Sequence, residues 1–252
     1  MSTFTVAVVS AGLSEPSSTK LLADRLAQAV RRDGARRGLR IEMVDVPLRA
    51  LARPIADAMV TGFAPAALQT ALDAVQGADA LIAVTPVFSA SYSGLFKSFF
   101  DVADPQGFTG KPVVLAATGG SARHSLVLDH ALRPLFAYLK AEPVATGVFA
   151  ATADFGADPE SGASLDRRIE QAGAQLVRAL AGAAEARVLP TPARPALVDV
   201  SLDPEDELAA DAVARAARVH LGPEPSLVEA RRRRDADPFD NLIPFEQLLH
   251  RT

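Results

Sequence analysis

Cysteine is absent from this sequence. Disulfides, thiolate nucleophiles and cysteine-held iron–sulfur clusters are therefore excluded, and the composition fits a reducing compartment. Tryptophan is absent too, and tyrosine occurs only at Tyr92 and Tyr138. The four histidines, His124, His130, His220 and His250, lack metal-ligand spacing, so no metal is expected. No apolar stretch approaches the roughly 20 residues that span a bilayer. The N-terminus enters a strand-like run with no basic n-region, apolar h-region or cleavage site. A cytoplasmic protein with no membrane segment is the expectation. The net charge is only −4, so nothing global points to nucleic acid. The G-x-G-x-x-G fingerprint and the Gly-Lys-Ser/Thr loop are both missing, which removes the usual dinucleotide and triphosphate signatures.

What is present is organised around Thr3 to Leu26. An apolar run, Phe4 to Val9, reads as a strand buried on both faces. It is followed by Ser10, Ala11, Gly12 and the hydroxyl cluster Ser17, Ser18 and Thr19, then by Leu22, Leu26 and Val30 at helical spacing. Strand, small-residue loop and helix start make an anion site, because the first helical amides lack partners within the helix. One such hydroxyl is accounted for by N-capping alone. Five hydroxyl residues between 10 and 19 exceed that need and favour a monophosphate.

Further strands are expected at Ile41–Val46, Ala80–Val84, Val113–Ala117 and Pro143–Phe149. Helices are expected over Ala66–Val75, from Ser91 onward, over His124–Leu139 with a kink at Pro134, and over Leu165–Leu180. Leu48–Ala64, with Pro54 and Gly62, reads as an irregular insertion. Five strand–helix alternations with apolar strands argue an α/β fold, flavodoxin-like, with a five-stranded parallel sheet of order 2-1-3-4-5 and helices on both faces. Three loops leave the carboxyl ends of strands one, three and four: SAGLSEPSST, TPVFSASYSG and TGGSARHS. In this topology they converge on one edge, and a bound ligand explains their shared Ser, Thr and Gly content better than turn chemistry does.

The texture changes near Ala186. Residues 1–185 read as the folded domain, and 186–252 as a Pro-rich linker (Pro190, Pro192, Pro195) with a C-terminal extension. Asp203–Arg218 fits a helix, and Arg231–Arg234 a solvated basic run. DPFDNLIPFEQLL is apolar enough to dock on its own sheet, a sister subunit or another protein.

On TPVFSASYSGLFKSFFD, TGGSARHSLVLDHALRPLF and the hydroxyl-rich first loop, the chain resembles the NAD(P)H-dependent FMN reductases of the flavodoxin-like superfamily. It is most similar to those that partner luciferase-like monooxygenases. The resemblance implies an FMN phosphate held by Ser10, Ser17, Ser18 and Thr19, and a flavin ring along Pro86, Val87, Phe88 and Ser89. The pyrimidine end would lie under Thr118, Gly119, Gly120 and Ser121. It also implies FMN and NAD(P)H as the redox pair, a homodimer or homotetramer, and no catalytic acid–base residue, since the cofactor carries the chemistry. Many relatives have an arginine in the phosphate loop, where Leu13-Ser14-Glu15-Pro16 stands here; Lys20 is the nearby cation. Loosely held flavin would suit an enzyme that releases reduced FMN to a flavin-dependent monooxygenase. The alternatives are an FMN-containing quinone or azo reductase, a flavodoxin-type electron carrier and a flavin-free scaffold. A carrier would clamp the ring between aromatic side chains, and Phe88 could cover one face at most. His124 and Tyr92 are each open between ligand contact and an ordinary helix-start role.

Overall fold

A computed structural model of the chain describes residues 3–156 and 159–188. The expected helix over 203–218, the arginine run and the DPFDNLIPFEQLL segment lie outside the described residues.

The core is a parallel sheet. Strand β1 (Thr3–Ser10) is central, flanked by β2 (Arg40–Pro47) and β3 (Ala80–Phe88). Next to β3 lies β5 (Pro112–Gly119), and the outer position is filled by two short pieces, β6 (Glu142–Pro143) and β7 (Val148–Ala151). Merged, the two outer pieces give the expected order 2-1-3-4-5. The expected strand over Pro143–Phe149 is interrupted, because its middle residues turn away to bond elsewhere: the amide of Thr146 donates to Gln175 Oε1. A two-residue strand β4 (Ser91–Tyr92) folds back antiparallel on β3.

Alternation along the strands sorts the core into two layers. Val6 and Val8 point to the side covered by helices α1 (Ser18–Arg36) and α6 (Pro159–Val188). Ala7 and Val9 point to the other side, covered by α2 (Ala52–Thr61), α3 (Ala66–Gly77), α4 (Gly94–Asp101) and α5 (Arg133–Tyr138). The first layer is mainly aliphatic, with the Phe4 ring buried in it. The second contains an aromatic cluster in which the Phe100 ring lies 4.8 Å from Phe96 and 5.0 Å from Phe136. Each fully buried ring of this kind contributes roughly 2–3 kcal/mol.

Four further expectations are corrected. Leu48–Ala64 is ordered: a 3-10 turn (Leu48–Leu51) runs into α2, which ends at Gly62 in the left-handed conformation. Pro54 sits in the first turn of α2, where its missing N–H costs nothing, so it does not break the helix. The helix expected over His124–Leu139 is segmented into a 3-10 turn (Ala122–His124), a π turn (Leu128–Leu132) and α5, with Pro134 inside the first turn of α5. The helix expected to start at Ser91 begins at Gly94, after β4, and α6 extends beyond Leu165–Leu180 in both directions.

Candidate functional site

Because β1, β3 and β5 are parallel, the loops that leave their carboxyl ends share one rim. Register fixes their relative heights. Ser10 lies beside Val84, and Pro86 beside Thr118, while the amide of Ala11 extends the ladder by donating to Val84 O at 3.0 Å. All twelve residues expected from the sequence lie at this rim.

The first loop closes as a helix cap. Ser17 has extended backbone, and its hydroxyl accepts the amide of Lys20 at 3.2 Å; its carbonyl accepts Leu21. The amides of Ser18 and Thr19 have no carbonyl to bond within α1, and an anion placed there would satisfy them. Gly12 is required by close approach, since a Cβ at this position would lie 2.0 Å from Ser17 Oγ. Ser10 is 3% exposed, and its hydroxyl makes no hydrogen bond among the described residues. Among the described residues no fully sealed side-chain polar atom lacks a partner, so what exposure Ser10 keeps includes its hydroxyl. These observations fit a small anion such as a phosphate ester.

Thr19 is buried and its Oγ1 lies 2.8 Å from Thr118 Oγ1. This bond joins the first loop to the third across 99 positions of chain. The second loop is a tight hairpin whose central residues, Ser89 (φ 48°) and Ala90 (φ 66°), are both left-handed without being glycine. That conformation costs each residue roughly 1–2 kcal/mol, and it presents Phe88, 48% exposed, at the hairpin's end. Thr85 braces the base: its hydroxyl donates to Pro86 O at 2.9 Å and accepts the amide of Ser93 at 3.0 Å. Ser93 in turn caps α4 by accepting the amide of Phe96. Ser93 is expected from the sequence only as part of a helix start, and Thr85 is not singled out there; its signal is a threonine inside a buried strand just before a proline. Tyr92 turns inward, its ring 6.1 Å from Phe96, so it belongs to the aromatic layer.

The two glycines of the third loop differ. A Cβ on Gly119 would lie 2.9 Å from Phe149 Cζ, so its smallness serves packing within the chain. A Cβ on Gly120 would meet nothing, which leaves open space beside its backbone. Ser121 follows, half-buried, and its carbonyl accepts the amide of His124.

Charge at the first loop is largely neutralised internally. Lys20 is partly buried, which disfavours its ammonium, but the hydrogen bond it donates to Asp24 and the charge of Asp45 at 3.4 Å hold its pKa above the usual lysine value. Glu15 brings a carboxylate into the loop, and Arg49 Nη1, from the turn after β2, meets it at 2.6 Å. Arg49 was not anticipated from the sequence, because its proximity depends on the β1–β2 pairing. Among the described residues no group of His, Asp or Glu could hold a metal ion, and no helix is long and apolar enough to cross a membrane.

Residues 4–156 match a family profile described as "NADPH-dependent FMN reductase". An FMN reductase (NADPH) of Pseudomonas aeruginosa is 41% identical over 154 residues, covering 61% of this chain and 80% of the relative. An NADH-dependent FMN reductase, SfnE, of Pseudomonas putida is 39% identical over 172 residues, covering 68% and 90% respectively. The crystal structure of an oxidoreductase from Corynebacterium diphtheriae is 46% identical and superposes with a TM-score of 0.69, covering 72% of this chain and 99% of that one. The apo form of an NADH:FMN oxidoreductase, EmoB, is 28% identical with a TM-score of 0.59, covering 68% and 88%.

Proposed function

We propose, given that this chain belongs to the NADPH-dependent FMN reductase family, that FMN is seated on the rim where the three loops meet. The family's reaction moves a hydride from NAD(P)H to FMN: NAD(P)H, FMN and a proton give NAD(P)⁺ and reduced FMN. The observation that carries the placement is the Thr19–Thr118 hydrogen bond, which draws the first and third loops into one site. Ser10, Ser17, Ser18 and Thr19 would hold the phosphate through hydroxyls and free helical amides. Pro86, Val87, Phe88 and Ser89 would run along the ring, and Thr118, Gly119, Gly120 and Ser121 would meet its pyrimidine end. When bound, FMN supplies the electron-accepting chemistry, and the residues bind, orient and shield it. Phe88 covers one face of the ring at most. The other stays open for a nicotinamide, which is why a reductase is favoured over a carrier.

With Lys20 committed to Asp24 and Asp45, the phosphate rests on amides and hydroxyls alone. That supports a flavin held loosely enough to leave once reduced, and so the supply of reduced FMN to a luciferase-like, flavin-dependent monooxygenase. A homodimer or homotetramer fits the groove between α4 and α5, about 610 Å³, where Pro134, Leu135 and the largely exposed Tyr138 present apolar surface. We place the protein in the cytoplasm. We take residues 1–185 as the FMN-binding domain and 186–252 as linker and docking tail, with α6 running a few residues past that boundary.

The test follows flavin and nicotinamide absorbance together. Sustained oxidation of NADPH or NADH with free FMN in excess supports the reading, and it excludes an electron carrier because no partner reductase is present. Flavin retained through gel filtration, with turnover only when a quinone is added, would assign the quinone or azo reductase instead.

A further inference from the structure

The far half of the third loop, Ala122 to Ser125, forms an exposed turn that the flavin site does not use. The turn folds back on the loop: the amide of His124 donates to Ser121 O, that of Ser125 donates to Ala122 O at 3.0 Å, and His124 Cβ lies 3.8 Å from where a Cβ on Gly119 would stand. Arg123 and His124 are both exposed. The three cations nearest the loops differ in one respect. Lys20 is paired with Asp24 and Asp45, and Arg49 with Glu15, whereas Arg123 has no ion pair or hydrogen bond among the described residues. The acid of the neighbouring turn after β7, Asp154, is already engaged, accepting the amide of Ala151 at 2.8 Å and facing Arg168 at 3.7 Å. The turn therefore offers a guanidinium, an imidazole and the Ser125 hydroxyl, with no carboxylate of its own.

The hydride donor poses a charge problem that this turn can solve. NAD(P)H carries a pyrophosphate, and NADPH a further 2′-phosphate, and a nicotinamide lying on the open flavin face must leave these groups just outside the rim. A dinucleotide fold would meet them with a glycine-rich helix start, and this chain has no such motif. Side-chain cations must do so instead, and an arginine fork is suited to phosphate oxygens. We propose that the Ala122–Ser125 turn binds a phosphate group of the nicotinamide dinucleotide, with Arg123 as its anchoring cation and a determinant of donor affinity. The proposal rests on the placement of FMN given above.

The test uses the full chain, saturated with FMN, with NADPH and NADH titrated separately against wild type, Arg123→Ala and Arg123→Lys. FMN affinity is measured in parallel by quenching of flavin fluorescence. In Arg123→Ala the KM for the donor rises at least tenfold, kcat changes less than twofold and FMN affinity is unchanged, while Arg123→Lys recovers part of the loss. A rise confined to NADPH assigns the 2′-phosphate, and an equal rise for both donors assigns the pyrophosphate. Unchanged KM for both donors, or a loss in kcat alone, overturns the proposal. Failure of the FMN placement is distinguishable: it appears as FMN affinity insensitive to Gly12→Ala, a variant at the other end of the site.

Discussion

At the amino ends of the strands, the chain satisfies its own polar groups. Thr5 N donates to Asp79 Oδ2 at 2.9 Å and Thr5 O accepts the amide of Asp79 at 2.8 Å, which ties β1 to the entry of β3. Lys111, only 7% exposed, donates to Val75 O at 2.7 Å and Gln76 O at 2.8 Å, closing the C-terminus of α3 with a charge of the favourable sign. At the carboxyl ends the opposite holds. The amides at the start of α1 lack intrahelical partners, and among the described residues Ser10 keeps an open hydroxyl, Gly120 faces space and Arg123 is unpaired. Both rims belong to one sheet. What distinguishes the candidate rim is which donors the chain leaves for something else, at a cost the closed rim does not bear.

Four measurements would break or sharpen this contrast. The largest effect is expected from pH at the closed rim. Burial pushes the Lys111 ammonium down from 10.5 to about 8, against the charge of Asp79. Between those values the unfolded chain binds a proton that the folded chain has released, so stability rises with pH across about 8 to 10.5. The rise amounts to roughly 3 kcal/mol. The neutral amine still has two N–H groups for its two carbonyls. Chemical denaturation at several pH values should show this rise in wild type and not in Lys111→Met, with FMN affinity at neutral pH the same in both. If Lys111→Met also weakened flavin binding, the rims would not be independent.

Gly12→Ala should do the reverse. Its Cβ displaces Ser17, and FMN affinity should fall roughly 100-fold, or about 2.7 kcal/mol, while the alkaline rise in stability persists. Next in size is the bond that joins the loops. Thr118→Val and Thr19→Val should each destabilise the protein, and a double-mutant cycle should return a coupling of about 1 kcal/mol. Additive single effects would mean that the loops are held together by other contacts. The smallest effect is expected away from both rims. Lys97 pairs with Asp101 one turn along α4, which raises its pKa, but both groups are largely solvated. Lys97→Ala should cost no more than about 0.5 kcal/mol and leave turnover unchanged.

The legible parts of this molecule were those carried by local pattern. Phe4–Val9 and Ala80–Val84 are read correctly as inner strands because both of their faces are apolar. The failures have local causes as well. Pro54 and Gly62 look like breakers in Leu48–Ala64, yet one occupies a first turn and the other a left-handed cap, positions where each supports α2. Composition does not distinguish a helix bounded by such residues from a loop containing them.

The site divides in the same way. Hydroxyls and glycines at three strand ends, and hence the location of the rim, follow from the order of residues, since parallel strands must bring their carboxyl ends to one side. The pairing of Thr19 with Thr118, the packing reason for Gly119, the approach of Arg49 to Glu15 and the isolation of Arg123 could not be read there. Each depends on how far apart two side chains from distant segments finally lie. That distance is set by sheet register and helix packing, which no single segment encodes.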